Sequence, residues 1–184
     1  MSIRIKLSVF AVLFLITANA QIKRFEVNEA WVQKVEDAAP DKAEVEPSKN
    51  LKVLVFDLIT GFDHWDTPHI DEVIKTLGDK TGAYKAEVSQ DIFKFEKKNL
   101  KKYDAVVLNN NCSKGPRRNM FLDKLDEDKS LSDDEKNKIA ARLEANLIKF
   151  VKKGGGLMVV HGAITMLNNS MPFSDLVGGS FDYH

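Results

Sequence analysis

Residues 154–163 read Gly-Gly-Gly-Leu-Met-Val-Val-His-Gly-Ala. Glycine adopts the left-handed backbone at no steric cost, so the three glycines predict the end of a helix. The apolar run at residues 157–160 predicts a buried strand, and His161 follows it directly. The residue after a parallel strand lies at the carboxyl edge of the sheet, where open α/β folds bind their ligands. The stretch therefore predicts a fold class and a candidate site together.

Strands and helices alternate along the chain from residue 51. Thr67-Pro68 predicts the start of a helix, apolar residues at 3-4 spacing continue it, and Gly78 is expected to stop it. Ser132 and Glu135 form a capping box that begins a long helix with an apolar stripe. The charged segment before it, up to about residue 131, carries no predicted element. Further strands are predicted at residues 51–56, 84–89 and 105–108. The alternation predicts an α/β fold with a doubly wound parallel sheet.

The composition is that of a globular domain. The 184 residues are 43% hydrophobic and 29% charged, enough for one domain with a real core. Basic and acidic residues number 27 each, and this balance gives no support for a nucleic-acid partner, which would need a basic excess. Cys112 is the only cysteine, so no internal disulfide can form.

The first twenty residues have the pattern of a secretory signal peptide. Arg4 and Lys6 make a basic start, residues 7–16 are almost entirely apolar, and Ala18-Asn19-Ala20 forms a small-residue cleavage site. A membrane span is the alternative, but it needs about 20 apolar residues, and this run is too short. We therefore expect no membrane span and a secreted or periplasmic protein. Residues 21–50 are interpreted as a linker with a short helix.

Three of the four histidines are predicted to meet at one edge of the sheet. His64 follows the first strand, His161 follows the last one, and His184 ends the chain. Neutral imidazole binds zinc-like divalent ions and titrates near neutral pH, so a shared site suits a metal or acid/base chemistry. In the alternative, each histidine only hydrogen-bonds its own loop. His69 lies within a predicted helix and is interpreted as structural.

Other polar residues near the same edge are weaker candidates. Asp57 and Asp63 follow the first strand and either orient a histidine, accept a sugar hydroxyl or are solvated turn acids. Residues 109–111, all asparagine, line a polyol pocket or form a turn. No neighbouring residue supplies a base to Cys112, so we do not expect a catalytic thiol. Residues 117–118, both arginine, either hold an anion or form an exposed basic turn.

Several motifs together resemble the ThuA-like, trehalose-utilisation family. They are Gly-Phe-Asp-His at 61–64, Tyr-Asp-Ala-Val-Val-Leu-Asn-Asn at 103–110, the glycine run through His161, and Leu-Val-Gly-Gly at 176–179 leading to His184. The resemblance covers roughly residues 51–184. It implies the flavodoxin-like fold of the class I glutamine amidotransferase-like superfamily and a role in sugar metabolism.

The chain departs from these relatives in two ways. Amidotransferases place a cysteine at the sharp turn where this chain has His161, so we expect no glutamine hydrolysis there. The family domain continues beyond the motif at His184, so the chain resembles the amino-terminal part of that domain. We therefore expect an incomplete sheet, and a chain that is marginally stable or forms a homodimer through its open edge.

The functional expectation is an exported protein that binds or acts on trehalose, a related disaccharide or a keto-sugar. His161 and His184 are expected to bind a divalent metal or to act as acid/base groups, and His64 and Asp57 to complete the catalytic set. Asn109 and Asn110 are expected to contact the sugar. The alternative is a non-catalytic carbohydrate-binding or interaction module with structural histidines.

Overall fold

The computed structural model describes residues 25–115 and 117–181. Its centre is a four-stranded sheet in the order β2-β1-β3-β4, and every neighbouring pair is parallel. This is a flavodoxin-like α/β arrangement, which confirms the predicted fold class. The predicted signal peptide and His184 lie outside the described residues. The strands are β1 (Leu51–Phe56), β2 (Tyr84–Ser89), β3 (Ala105–Asn109) and β4 (Gly156–Val160).

Helices cover both faces of this sheet. The helices are α1 (Glu29–Ala38), α2 (Thr67–Thr81), α3 (Lys97–Leu100), α4 (Met120–Leu125), α5 (Asp133–Lys152) and α6 (Met171–Val177), with 3-10 turns at Ile92–Phe95 and His161–Thr165. Successive side chains of a strand point to opposite faces. Leu54 and Phe56 of β1 therefore enter the larger core with α4 and α5, while Val53 and Val55 enter a smaller one that Ile74 of α2 completes.

The apolar run of β1 is explained by this double covering. A strand that is buried on both faces needs hydrophobic side chains at successive positions rather than alternating ones. The last three residues of β1 are fully buried. By contrast, β4 lies at the edge of the described sheet, and Met158 at its centre is 57% exposed.

Helix α2 differs from its predicted bounds at both ends. Asp66, not Thr67, is the N-terminal cap, and the Thr67 hydroxyl donates to the His64 carbonyl at 2.8 Å. The predicted stop at Gly78 is wrong, because Gly78 lies inside the helix where the Tyr84 ring packs 2.5 Å from the position of a Cβ. The helix ends at Gly82, which holds a φ of 68°. Gly78 therefore serves close packing, and Gly82 serves the left-handed cap.

Two of the short elements that were not predicted from the sequence are helix α4 and the 3-10 turn before α3. Helix α4 lies in the charged segment before Ser132, and the Asn119 side chain caps it by accepting from the Leu122 amide at 3.1 Å. Its Met120 and Phe121 are fully buried in the larger core. The other is the 3-10 turn at Ile92–Phe95, which leads into α3. The predicted capping box of α5 is confirmed, since Ser132 and Glu135 bond reciprocally.

The segment interpreted as a linker contains α1, which packs on α2. Phe25 and Trp31 from this segment contact the buried His69 ring edge-on, with centroid distances of 4.5 and 4.9 Å. His69 is thus part of an aromatic cluster that holds the amino-terminal segment on the domain. Across the described ranges, no helix has the length and apolar character that a membrane crossing requires.

Candidate functional site

The candidate site lies where the strand order reverses. Strands β1 and β3 are neighbours, but the chain leaves β1 toward α2 on one face and leaves β3 toward α4 on the other. Such a switch point opens a crevice beyond the carboxyl ends of the strands. Three segments border it, namely residues 57–66 after β1, residues 110–115 after β3 and the 3-10 turn after β4.

Two histidines meet in this crevice. The rings of His64 and His161 pack edge-to-face, with centroids 4.5 Å apart at an interplanar angle of 75°. His161 begins the turn after β4 with a φ of 47°, a left-handed conformation that costs energy for a residue with a side chain. The sharp turn presents the exposed His161 ring at the sheet edge. The structure therefore brings together two of the three predicted histidines.

Asn110 selects one tautomer of the neutral His161 ring. The Asn110 amide nitrogen donates to the carboxylate of Asp66 at 3.1 Å and to the Thr67 hydroxyl at 3.2 Å. Its oxygen therefore faces the other way, where it accepts the backbone N–H of Gly162 at 3.4 Å and lies 3.1 Å from Nδ1 of His161. An oxygen that can only accept requires a hydrogen on Nδ1. The Nε2 atom of neutral His161 is thus left with a free lone pair.

The surroundings of His64 favour its uncharged form. Burial lowers its pKa from the usual value, and the neighbouring His161 lowers it further, while Asp66 and Asp63 act in the opposite direction. Loss of charge on burial is expected, because a low-dielectric surrounding disfavours the imidazolium. The crevice therefore contains His161 in one tautomer and, beside it, His64 in surroundings that favour the uncharged ring.

Gly162 allows this close packing. A Cβ at this position would lie 2.6 Å from Sγ of Cys112 and 2.7 Å from Nε2 of His64. The Cys112 thiol itself contacts the Gly162 carbonyl at 3.6 Å. Burial raises the pKa of Cys112, which keeps it a thiol rather than a reactive thiolate. Cys112 therefore acts as a packing residue beneath the histidines.

Asp57 lies in a neighbouring cavity and not against the histidines. This cavity has a volume of about 460 Å³ and is lined by polar groups that include Asp63, Thr67 and Gln90. Gln90 donates to Asp57 at 3.2 Å. Asp71 of α2 interacts electrostatically with Asp57. Burial raises the pKa of Asp71 to about 7. A hydrogen bond from Asn109 opposes this rise, and the charge of Asp57 adds to it. Asp71 therefore keeps its proton up to near neutral pH.

The three consecutive asparagines at residues 109–111 hold the loops around the site in place. Asn109, Asn110 and Asn111 are all fully buried. Asn109 donates to Asp71 at 2.8 Å and to the Thr67 carbonyl at 3.0 Å, and Asn111 donates to the carbonyls of Phe56 and Leu58. Their amide hydrogens are thus used within the protein, so in this conformation they position the loops rather than line a surface.

The two arginines of the loop after β3 have protein partners. Arg117 forms an ion pair with Asp126, and the Arg118 guanidinium lies over the Phe181 ring, 5.4 Å from its centroid. These contacts match the interpretation of residues 117–118 as a basic turn rather than an anion site.

The metal expectation depends on residues beyond the described part. Within residues 25–115 and 117–181, no group of three or more His, Cys, Asp or Glu side chains is arranged to hold a metal ion. His64 and His161 offer two imidazoles, whereas zinc sites use at least three protein ligands. His184, the other predicted ligand, is not among the described residues.

Comparison with known proteins identifies a family to which the chain is similar. A family model described as ThuA, trehalose utilisation, matches residues 52–184. The chain belongs to the ThuA family. A search of curated proteins found no match, and neither did a search of solved structures. The ThuA match includes every residue of the crevice described above, and it associates the chain with carbohydrate metabolism.

Three residues of this ThuA domain have roles that were not predicted from the sequence. Asn110 was expected to contact a sugar, but it orients His161, and Asp71 was not singled out at all. Asp71 could have been noticed only because it is an acidic residue on the face of the predicted helix that packs against the sheet. Gly162 could also have been noticed, because a glycine directly after His161 leaves room for another aromatic ring, here that of His64.

Proposed function

We propose that this ThuA-family chain binds a carbohydrate at the carboxyl edge of its sheet and that His161 acts there as a general base. The substrate class is trehalose, a related disaccharide or a keto-sugar derived from one. The observation that carries this proposal is the hydrogen bond between Asn110 and Nδ1 of His161, at 3.1 Å. It leaves Nε2 of an exposed ring free to take a proton from a sugar hydroxyl.

His64 completes the pair in this proposal. Because burial lowers its pKa, the His64 ring favours the uncharged form, which limits repulsion of the positive charge that His161 gains with a proton. Asp57 contributes from the adjacent cavity, where its carboxylate accepts a sugar hydroxyl beside Gln90. The same free nitrogen of His161 suits a divalent, zinc-like metal, with His184 as the further ligand.

Export is part of the same proposal. The basic start, the short apolar run and the Ala18-Asn19-Ala20 site support a secreted or periplasmic protein. Carbohydrate uptake and processing in such a compartment fits the family description.

A non-catalytic carbohydrate-binding module is the second candidate. One observation favours it: Asp57 contacts Gln90 and Asp71 rather than either histidine. Among the described residues, no carboxylate accepts a hydrogen bond from the ring of His161, so the pair lacks the acid partner that many histidine bases have.

Sugar binding and turnover by His161→Asn distinguish these candidates. Asparagine tolerates a positive φ, so the variant removes the base without adding backbone strain. Trehalose and its 3-keto derivative serve as ligands, and Lys101→Ala, in the turn before β3 at the opposite sheet edge, is the control. Turnover that is lost only in His161→Asn supports the catalytic proposal, and binding without turnover supports the module. Absence of sugar binding by the unaltered protein would overturn both.

The metal is tested separately. Elemental analysis of the purified protein, compared with His161→Asn, should show about one divalent ion per chain that the variant loses. A metal-free protein that retains sugar turnover would overturn the metal part and leave the acid/base part standing.

A further inference from the structure

Phe62 is an exposed aromatic side chain at the border of the histidine pair. It is 70% exposed, yet its ring packs on His64 with centroids 4.8 Å apart at 65°. Because that contact is edge-to-face, it leaves much of the phenyl ring open to solvent. Single exposed hydrophobic residues are common on protein surfaces. Phe62 differs from such residues because it adjoins the two imidazoles of the candidate site.

The backbone beside Phe62 is firmly held. The amides of Thr60 and Gly61 both donate to the Cys112 carbonyl, at 3.1 and 2.8 Å. The Thr60 hydroxyl also donates to the buried carboxylate of Asp123 at 2.6 Å. At Gly61, a Cβ would lie only 2.6 Å from the Ser113 carbonyl oxygen, so the loop lies directly against the segment after β3.

This combination of a rigid backbone and an open ring is suited to binding. A ring on a mobile loop loses conformational freedom when a ligand binds, whereas a ring that is already held loses little. An aromatic face carries partial negative charge, so it attracts the weakly positive hydrogens of C–H groups. A pyranose ring presents several C–H groups on one face and hydroxyls around its rim.

We propose that Phe62 is the stacking surface for a pyranose ring and that the stacked sugar presents its hydroxyls to His64 and His161. This inference rests on the proposed function and assigns it a ligand class, a cyclic sugar with one open C–H face. An acyclic polyol has the same hydroxyls but no such face, and it binds this site more weakly.

Other exposed phenylalanines do not share this setting. Phe93 is 44% exposed and lies in the 3-10 turn after β2, the strand at the far edge from β4. Phe25 packs against Trp65 and His69 in the amino-terminal cluster. Phe93 is therefore a matched control for the removal of an exposed phenyl ring.

The test measures trehalose affinity by calorimetry or ligand-observed NMR for the unaltered protein, Phe62→Ala, Phe62→Trp and Phe93→Ala, with sorbitol as the acyclic ligand. We expect Phe62→Ala to lose at least tenfold in trehalose affinity, while Phe62→Trp and Phe93→Ala stay within about threefold. Saturation transfer should be strongest at the C–H protons of one sugar face, and sorbitol should bind more weakly than trehalose.

The outcomes separate the two proposals. If the unaltered protein binds trehalose and Phe62→Ala binds it equally well, the stacking inference is overturned and the proposed function stands. The same holds if sorbitol binds as tightly as trehalose. If the unaltered protein binds no sugar, the proposed function fails, and the stacking inference fails with it.

Discussion

His161 donates its Nδ1 hydrogen to Oδ1 of Asn110 across 3.1 Å, and both residues hold left-handed backbone with φ values of 47° and 53°. The two sharp turns that follow β3 and β4 thus meet at Asn110, whose oxygen also accepts the backbone N–H of Gly162. Left-handed backbone at residues with side chains persists only where the surrounding contacts enforce it. Here the contacts of Asn110 with Asp66 and Thr67 supply that support.

Asn110→Gly should release His161 from its single tautomer. Glycine accepts the positive φ at no cost, so the variant isolates the loss of the side chain. We expect a loss of about 1–3 kcal/mol in the free energy of unfolding, because the buried partners of Asn110 lose a hydrogen bond. Nitrogen-15 NMR of the His161 ring should change from Nδ1–H alone to a mixture of tautomers. An unchanged spectrum would contradict the role assigned to Asn110.

Gly162→Ala should displace His64 from His161. The new Cβ would lie 2.6 Å from Cys112 Sγ and 2.7 Å from His64 Nε2, and both distances are too short, so both side chains must move. We expect urea unfolding to show a loss of about 1–3 kcal/mol, typical of overpacking. The NMR contact between the two rings should weaken. Gly179→Ala is the control, because no atom lies within 4 Å of its Cβ position. Equal stability of the two variants would show that the crevice has more room than these distances indicate.

Stability should decrease as the pH rises toward 7, because of Asp71. Its pKa is about 7 in the folded protein and near 3.8 when the chain is unfolded. The folded state therefore holds this proton more tightly. That contribution is complete below about pH 4 and is lost as the pH rises to about 7, at up to about 1.4 kcal/mol per pH unit.

Asp71→Asn imitates the protonated acid and should remove most of this dependence. We expect the variant to match the unaltered protein at pH 3.5, below the pKa of the unfolded carboxyl, and to exceed its free energy of unfolding at pH 8, on the order of 1–3 kcal/mol. Asp79→Asn, an exposed residue of the same helix that pairs with Lys85, should change little at either pH. Parallel pH profiles for Asp71→Asn and the unaltered protein would contradict the raised pKa of Asp71.

The exposed edge of β4 should mediate a weak homodimer. Met158 is 57% exposed on this edge strand, and open strand edges pair readily with another chain. We expect size-exclusion chromatography to show a concentration-dependent dimer that Met158→Lys abolishes. Val88→Lys is the matched control, since Val88 is 42% exposed on β2 at the opposite edge. A monomer at every concentration, or a dimer lost equally in both variants, would contradict pairing through β4.

Export should leave a mature chain that begins at Gln21. The small-residue site at residues 18–20 predicts cleavage directly before it. Amino-terminal sequencing of protein from the native host, fractionated by compartment, measures this. Recovery of the intact residues 1–20 from the cytoplasmic fraction would contradict the signal-peptide interpretation.

The main strands could be predicted because their signals are local. Apolar runs at residues 51–56 and 105–108 match β1 and most of β3, and the capping box at Ser132 matches the start of α5. The end of α2 could not be predicted in this way. Gly78 and Gly82 look alike in the sequence, and only the packing of Tyr84 on Gly78 decides which of them ends the helix.

The sequence by itself determined the α/β class, the strands and the meeting of His64 with His161, because chain topology brings strand ends to one edge. Only the tertiary structure decided what each polar group does there. Asn110 orients His161 rather than lining a surface, and Asp57 accepts a hydrogen bond from Gln90 and raises the pKa of Asp71 rather than acting on a histidine. Residue spacing carries the period of a helix or strand, but hydrogen-bond partners and pKa values depend on burial and on distances between segments far apart in the chain.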